Sequence, residues 1–255
     1  MATAREIRRH MKSIGNIGKI TKAMKMVAAA RLRKAQERAN ASRPYALKIK
    51  DVLSNIVSDP SLLADIDAKK HPLLQKREVK KVGYLVLASD KGLAGAYSSN
   101  ALKKAVAEIS ECKDEVVVIT CGRKARDFFK RRGYNVLESH LGFSDRPEFY
   151  NATDVAKDIA KRFASEGFDE LYIVYTIFKS ALSQVPTVEH VLPIEPPAKQ
   201  GDKAEASFMF EPGRDEALSV LAPRYLETIV YSALVQSAAS ELGSRMTAMT
   251  SATDN

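Results

Sequence analysis

Tryptophan is absent from the 255 residues, cysteine occurs twice and histidine four times. Cys112 and Cys121 cannot form a disulfide framework and are not spaced as a CxxC pair. Reduced thiols in a reducing compartment are therefore expected. His10, His71, His140 and His190 lie far apart, with no second ligand at zinc-like spacing. No Gly-x-Ser-x-Gly elbow and no Gly-Lys-Ser/Thr phosphate loop occurs. No apolar run approaches the roughly 20 residues needed to cross a bilayer. The opening MATAREIRRHMKSIG lacks the apolar stretch of a signal peptide, so the protein is expected to begin in the cytosol or on its membrane face. These absences argue against a disulfide scaffold, a membrane-spanning protein and the common hydrolase and phosphate-loop classes. With 45% hydrophobic and 28% charged residues, the chain can still bury a core.

What is present is unevenly placed. The net charge is +9, yet residues 1–50 hold 14 lysines and arginines against Glu6 and Glu37 and so carry +12, which leaves −3 for the rest. A basic N-terminal element joined to a near-neutral body suggests an anionic partner (nucleic acid, acidic lipid or an acidic protein surface), although a charge run of this kind is more often a solvated helix face.

That element has a seam. Ile7, Met11, Ile14, Ile17, Thr21, Met24, Ala28, Leu32, Ala35, Ala39, Ser42, Ala46, Ile49, Leu53 and Ile56 recur at a mean spacing of about 3.5, the period of a left-handed coiled coil. Small residues along it allow close approach of a partner helix but bury little area. Gly15 and Gly18 each cost about 1 kcal/mol relative to alanine, and Pro44 predicts a bend. The other end repeats the pattern at Leu218, Leu221, Tyr225, Thr228, Ser232, Val235, Ala239, Leu242, Met246, Met249 and Thr253. There Pro223 is expected to kink or restart the helix. Positions 7–56 span about 74 Å as a helix, longer than a globule of this size. Two projecting terminal helices packed antiparallel, with a body inserted between them, is the simplest arrangement.

The body alternates strands and helices. Residues 1–57 form the first helix, 58–77 a linker with Pro60 and Pro72 as breakers, and 78–212 an α/β domain. Residues 213–255 form the second helix. Strands are expected at KVGYLVLAS, EVVVITC, YNVLES, LYIVYTIF, TVEHVLPI and SFMFE, the closing pair antiparallel. Helices are expected near Ser98–Glu111, over GRKARDFFKRRG and over 152–165. This pattern predicts a doubly wound, Rossmann-like α/β sheet. The loop Ser89-Asp90-Lys91-Gly92-Leu93-Ala94-Gly95 lies where such a sheet would cradle phosphate, but it offers only Gly-x-x-Gly. A nucleotide-binding enzyme using Gly92–Gly95 is one alternative, to be separated by nucleotide affinity. A nucleic-acid binder using the basic helix is another; base stacking would call for interleaved aromatics, and residues 1–44 contain none.

MKSIGNIGKITKAMKMVAAARLRKAQ closely resembles the opening helix of the gamma subunit of F-type ATP synthases, and ASRPY, ASDKGLAGAYSSN, SQVPT and SELGSRMTAMTSATDN extend that resemblance along the chain. Ala94 stands where many members have cysteine. The resemblance implies a Rossmann-like domain inserted between two long terminal helices that form an antiparallel coiled coil. It implies a non-catalytic rotor subunit, without a cofactor, that transmits torque between a membrane ring of c subunits and a catalytic hexamer of alpha and beta subunits. Rotation is driven by protons or sodium, and the glycine loop is structural. Implied partners are the alpha and beta subunits, epsilon and the c-ring, but no nucleic acid. Membrane association runs through the ring rather than by insertion, at the cytoplasmic face of the cell membrane.

With neither a dithiol insert nor a transit peptide, a bacterial type is expected. The family's C-terminal helix runs on past Asn255, so the chain is expected to be C-terminally truncated. Ile7, Met11, Ile14, Lys22, Met24, Lys25, Arg31, Arg33, Lys34, Arg245, Met246 and Met249 are expected to face the hexamer, with Lys22, Lys25, Arg31, Arg33 and Lys34 as a basic collar. Residues 7–17 are expected to overhang the second helix, without a partner in the chain.

Overall fold

The computed structural model describes residues 3–57, 70–195 and 213–255. Helix α1 (Ala4–Val57) is followed by a short 3-10 turn at Pro72–Leu74 and strand β1 (Lys81–Leu87). Next come α2 (Tyr97–Glu111), β2 (Glu115–Cys121), α3 (Arg123–Arg131), β3 (Asn135–His140) and α4 (Phe149–Ala164). The chain ends with β4 (Glu170–Phe178), β5 (Gln184–Leu192) and α5 (Arg214–Asp254). The expected linker over 58–69 and the SFMFE strand lie outside the described residues.

The five strands are ordered β3-β2-β1-β4-β5. β1 pairs in parallel with β2 and β4, β2 in parallel with β3, and β5 closes the sheet antiparallel to β4. Pro186 sits in β5 at a described sheet edge, where a missing N–H costs least. β1 lies in the middle, and its run KVGYLVL is buried from Val82 onward, as a strand covered on both faces requires. On one face Val82, Tyr84 and Val86 pack with Leu102 and Ala105 of α2 and Phe129 of α3. On the other, Leu85 and Leu87 pack with Ile159 and Phe163 of α4 and Leu226 and Val230 of α5. α5 is thus both shaft and body: its first half covers the sheet and its second half leaves it.

The terminal helices pair antiparallel. Ile49 and Leu53 of α1 pack around Leu218 of α5, Leu32 and Ala35 meet Ala239 and Leu242, and Thr21 meets Thr253 through hydroxyls 2.6 Å apart. The contacts fall on the 3.5-residue seam, except that Ser232 is exposed. Below Thr21 no described residue covers the seam: Ile7, Met11, Ile14 and Ile17 are all more than half exposed.

Helix α5 runs through Pro223 without a restart, which leaves a kink as the expectation there, and α1 stays helical through Pro44, where a bend is expected. A proline removes one helix bond and crowds the preceding turn, and here the flanking seam contacts at Ile49 and Leu218 hold the helix across that gap.

Candidate functional site

In a doubly wound sheet, ligands bind where strand order reverses, beyond the C-terminal ends of the diverging strands. Here that point lies between β1 and β4, and it is filled by the protein's own helix. On the β1 side, Ser244 of α5 donates its hydroxyl to Ala94 O at 2.7 Å, and Arg245 donates Nη2 to Gly92 O at 3.3 Å. Gly95 has φ +53°, and a Cβ there would lie 2.9 Å from Ser244 Oγ. On the β4 side, Thr176 N donates to Ser237 Oγ, Phe178 N to Gln236 Oε1, and Ser240 Oγ to Thr176 O. Thr247 donates to Ala181 O, and a Cβ on Gly243 would lie 2.9 Å from the Phe178 ring. Both glycines therefore permit a close approach, Gly95 of the β1 loop to the helix and Gly243 of the helix to β4.

The glycine loop is held from a second direction. Asp90 Oδ2 accepts the amides of Gly142 (2.9 Å) and Ser144 (3.1 Å), its Oδ1 accepts Arg123 N, and Ser144 Oγ accepts Asp90 N at 2.8 Å. Asp145, next in that segment, accepts Arg31 of α1 at 2.5 Å and lies 3.6 Å from Lys91. A further strut joins Arg38 Nη1 to Pro147 O. Shaft, loop and body are thus tied through two aspartates.

Within the joint, Glu241 is fully buried and pairs with Arg245 at 2.7 Å. Burial pushes its carboxyl above the usual carboxylate range, against the pull of Arg245. Its Oε2 is buried with no hydrogen-bond partner among the described residues. At the other end of α5, His71 meets Asp215 at 2.6 Å and Lys70 at 3.3 Å joins them; the His71 bond, then Lys70, holds Asp215 below its ordinary value.

The described residues contain no cluster of three His, Cys, Asp or Glu side chains able to hold a metal. Beside the glycine loop is an open cavity of about 320 Å³, with exposed Lys91, Lys124 and Arg131 on its rim and Ser98 and Phe128 in its wall.

The residues expected to face partners separate into two groups. Ile7, Met11, Ile14, Lys22 and Lys34 are exposed, and Met24 and Lys25 are half-buried. Arg33 pairs with Glu37 one turn on, and Arg31 turns to Asp145. Arg245 and Met249 are buried, and Met246 is half-buried. Within the chain, Arg245 Nη2 donates to both Glu241 Oε1 and Gly92 O. Sequence reasoning missed Asp90, Asp145, Glu241 and Ser244. The available signal was the run of small and polar residues at Ser237, Ser240, Gly243 and Ser244, which is too polar for an apolar core and too small for a solvated face.

The ATP synthase family model matches residues 3–255. The ATP synthase gamma chain of Brevibacillus brevis is 48% identical over 254 residues, covering 98% of this chain and 86% of that one. The gamma chain of Desulfitobacterium hafniense is 43% identical over 255 residues, covering 100% and 88%. Among solved structures, the central stalk and c-ring of Tetrahymena thermophila mitochondrial ATP synthase aligns with a TM-score of 0.71 at 23% identity, over 91% of this chain and 99% of that one. The rotor of Euglena gracilis mitochondrial ATP synthase aligns with a TM-score of 0.64 at 17% identity, over 97% and 90%.

Proposed function

This chain belongs to the ATP synthase gamma-chain family, and on that premise we propose that it is the central-stalk rotor of a bacterial enzyme. Its partners are a hexamer of alpha and beta subunits around the shaft, and epsilon and the c-ring at the body. The ring, driven by protons or sodium, turns the body; the shaft turns with it and carries the three beta sites through different conformations. The chain contributes no catalytic group and works at the cytoplasmic face of the cell membrane, held there by the ring. No described helix is long and apolar enough to cross a membrane.

The observation that carries this reading is the joint itself. The crevice where a doubly wound enzyme would hold substrate is occupied by α5, so turning the body turns the shaft. The uncovered stretch from Ile7 to Ile20 is apolar and basic together, a surface suited to burial among proteins bearing acidic groups. Co-expression with alpha and beta subunits is the test. One copy of this chain per hexamer is expected on purification, and a hexamer that assembles and excludes it would overturn the reading.

A further inference from the structure

We propose that the crevice between β1 and β4 is the rotor's torque-bearing joint and that Arg245 is the positioning residue that stiffens its β1 half. The inference rests on the rotor reading and goes on to ask which atoms carry the load.

The joint has two grips on one helix. The β4 grip is a ladder of neutral hydrogen bonds from Gln236, Ser237, Ser240 and Thr247. The β1 grip consists of Ser244 on Ala94 O and Arg245 on Gly92 O. Gly92 and Gly95 leave the loop little stiffness of its own, so its position depends on what holds it. Asp90 pins it to the 142–144 segment, and α5 pins it to the shaft. Among the described residues, Arg245 is the only charged α5 side chain that donates across this joint. Glu241 fixes the guanidinium from one turn away, so the donor directed at Gly92 is preorganised rather than sampled. A charge-assisted contact set by a buried carboxylate resists displacement better than a hydroxyl that can rotate to a new acceptor. A sideways load on the body should therefore reach α5 through Arg245 on one flank and the hydroxyl ladder on the other.

The complete complex, with the hexamer fixed to a surface and a bead on the body, tests this through the angular fluctuation of the bead during a catalytic dwell. Arg245 shares the β1 grip with Ser244, so R245M should weaken one of two grips and raise the angular variance measurably, by less than about twofold. R245K keeps the charge without the fork and should fall between wild type and R245M. Amide exchange in the same complex should quicken about tenfold or more over Leu93–Ala96, the fold-change that loss of a charged hydrogen bond implies. Because R245M strands a buried carboxylate, the double variant E241Q/R245M carries the measurement if R245M does not assemble. Wild-type variance in an assembled variant, even with a lowered melting temperature, would overturn the proposal, since a merely structural contact would behave that way. A wild-type chain that assembles and never turns would overturn the rotor reading and the joint with it, so the two failures are distinguishable.

Discussion

Gly122 shows how closely single atoms constrain this body. It follows β2 with φ +97°, and a Cβ there would lie 2.1 Å from the carbonyl oxygen of Ala88, which is backbone and cannot swing aside. Its amide also donates to His140 O, linking β2 to β3 just before the segment that carries Asp145. Gly133 also has positive φ, but nothing lies within 4 Å of its Cβ position. It ends α3, donating to Lys130 O, as a left-handed helix cap does. Alanine at Gly133 should therefore cost only the left-handed strain, about 1–2 kcal/mol. Alanine at Gly122 must also displace β1 and should cost more. Thermal unfolding of the two variants checks this: G122A should melt well below G133A, and equal shifts would contradict the packing argument.

At the scale of elements, α1 is a basic rod whose charges have different destinations. Arg31 is committed to Asp145 and Arg33 to Glu37. Lys22 and Lys34 are exposed and Lys25 is half-buried. We therefore expect replacement of Lys22, Lys25, Arg31, Arg33 and Lys34 by alanine to alter ATP turnover, or its salt dependence, in the assembled complex without unfolding the body. Each exposed contact is worth about 0–1 kcal/mol. Unchanged turnover with an unchanged salt response would remove the collar from the mechanism.

Much of this scale was legible in advance. The 3.5-residue seam gave both helices and their antiparallel pairing, and continuous apolar runs gave β1 and β2. Boundaries shifted by a few residues: α4 begins at Phe149 rather than 152, and β5 at Gln184 rather than 187. The joint was not legible, because a seam marks which side of a helix is buried and not what it is buried against. Arg245 reads as a partner-facing charge from sequence because its contacts come from Glu241 and from a carbonyl 153 positions away. Likewise, Pro223 leaves a kink and a restart both open from sequence, because local propensity says nothing of the contacts that hold a helix across a missing bond.

For the molecule as a whole, the shaft is only partly covered by the described residues of its own chain. Ile7, Met11, Ile14, Ile17 and Ile20 form an exposed apolar strip on α1, each side chain more than half exposed. Leaving such residues in water forgoes about 1.5–3 kcal/mol of potential burial apiece. The isolated chain should therefore self-associate. Sedimentation at tens of micromolar should show species larger than a monomer, and a clean monomer with full helix content would contradict this.

The pairing of the first helix with the last also has a consequence during synthesis. α1 leaves the ribosome before α5, its partner along the seam, with the whole body made between them. At 5–20 residues per second that gap of roughly 160 residues is a wait of about ten to thirty seconds. Through that interval α1 is an orphan, and the crevice between β1 and β4 stands open until α5 is available to fill it. The nascent rotor thus completes its body and its shaft in one event, once α5 has emerged, and its most vulnerable period precedes that event.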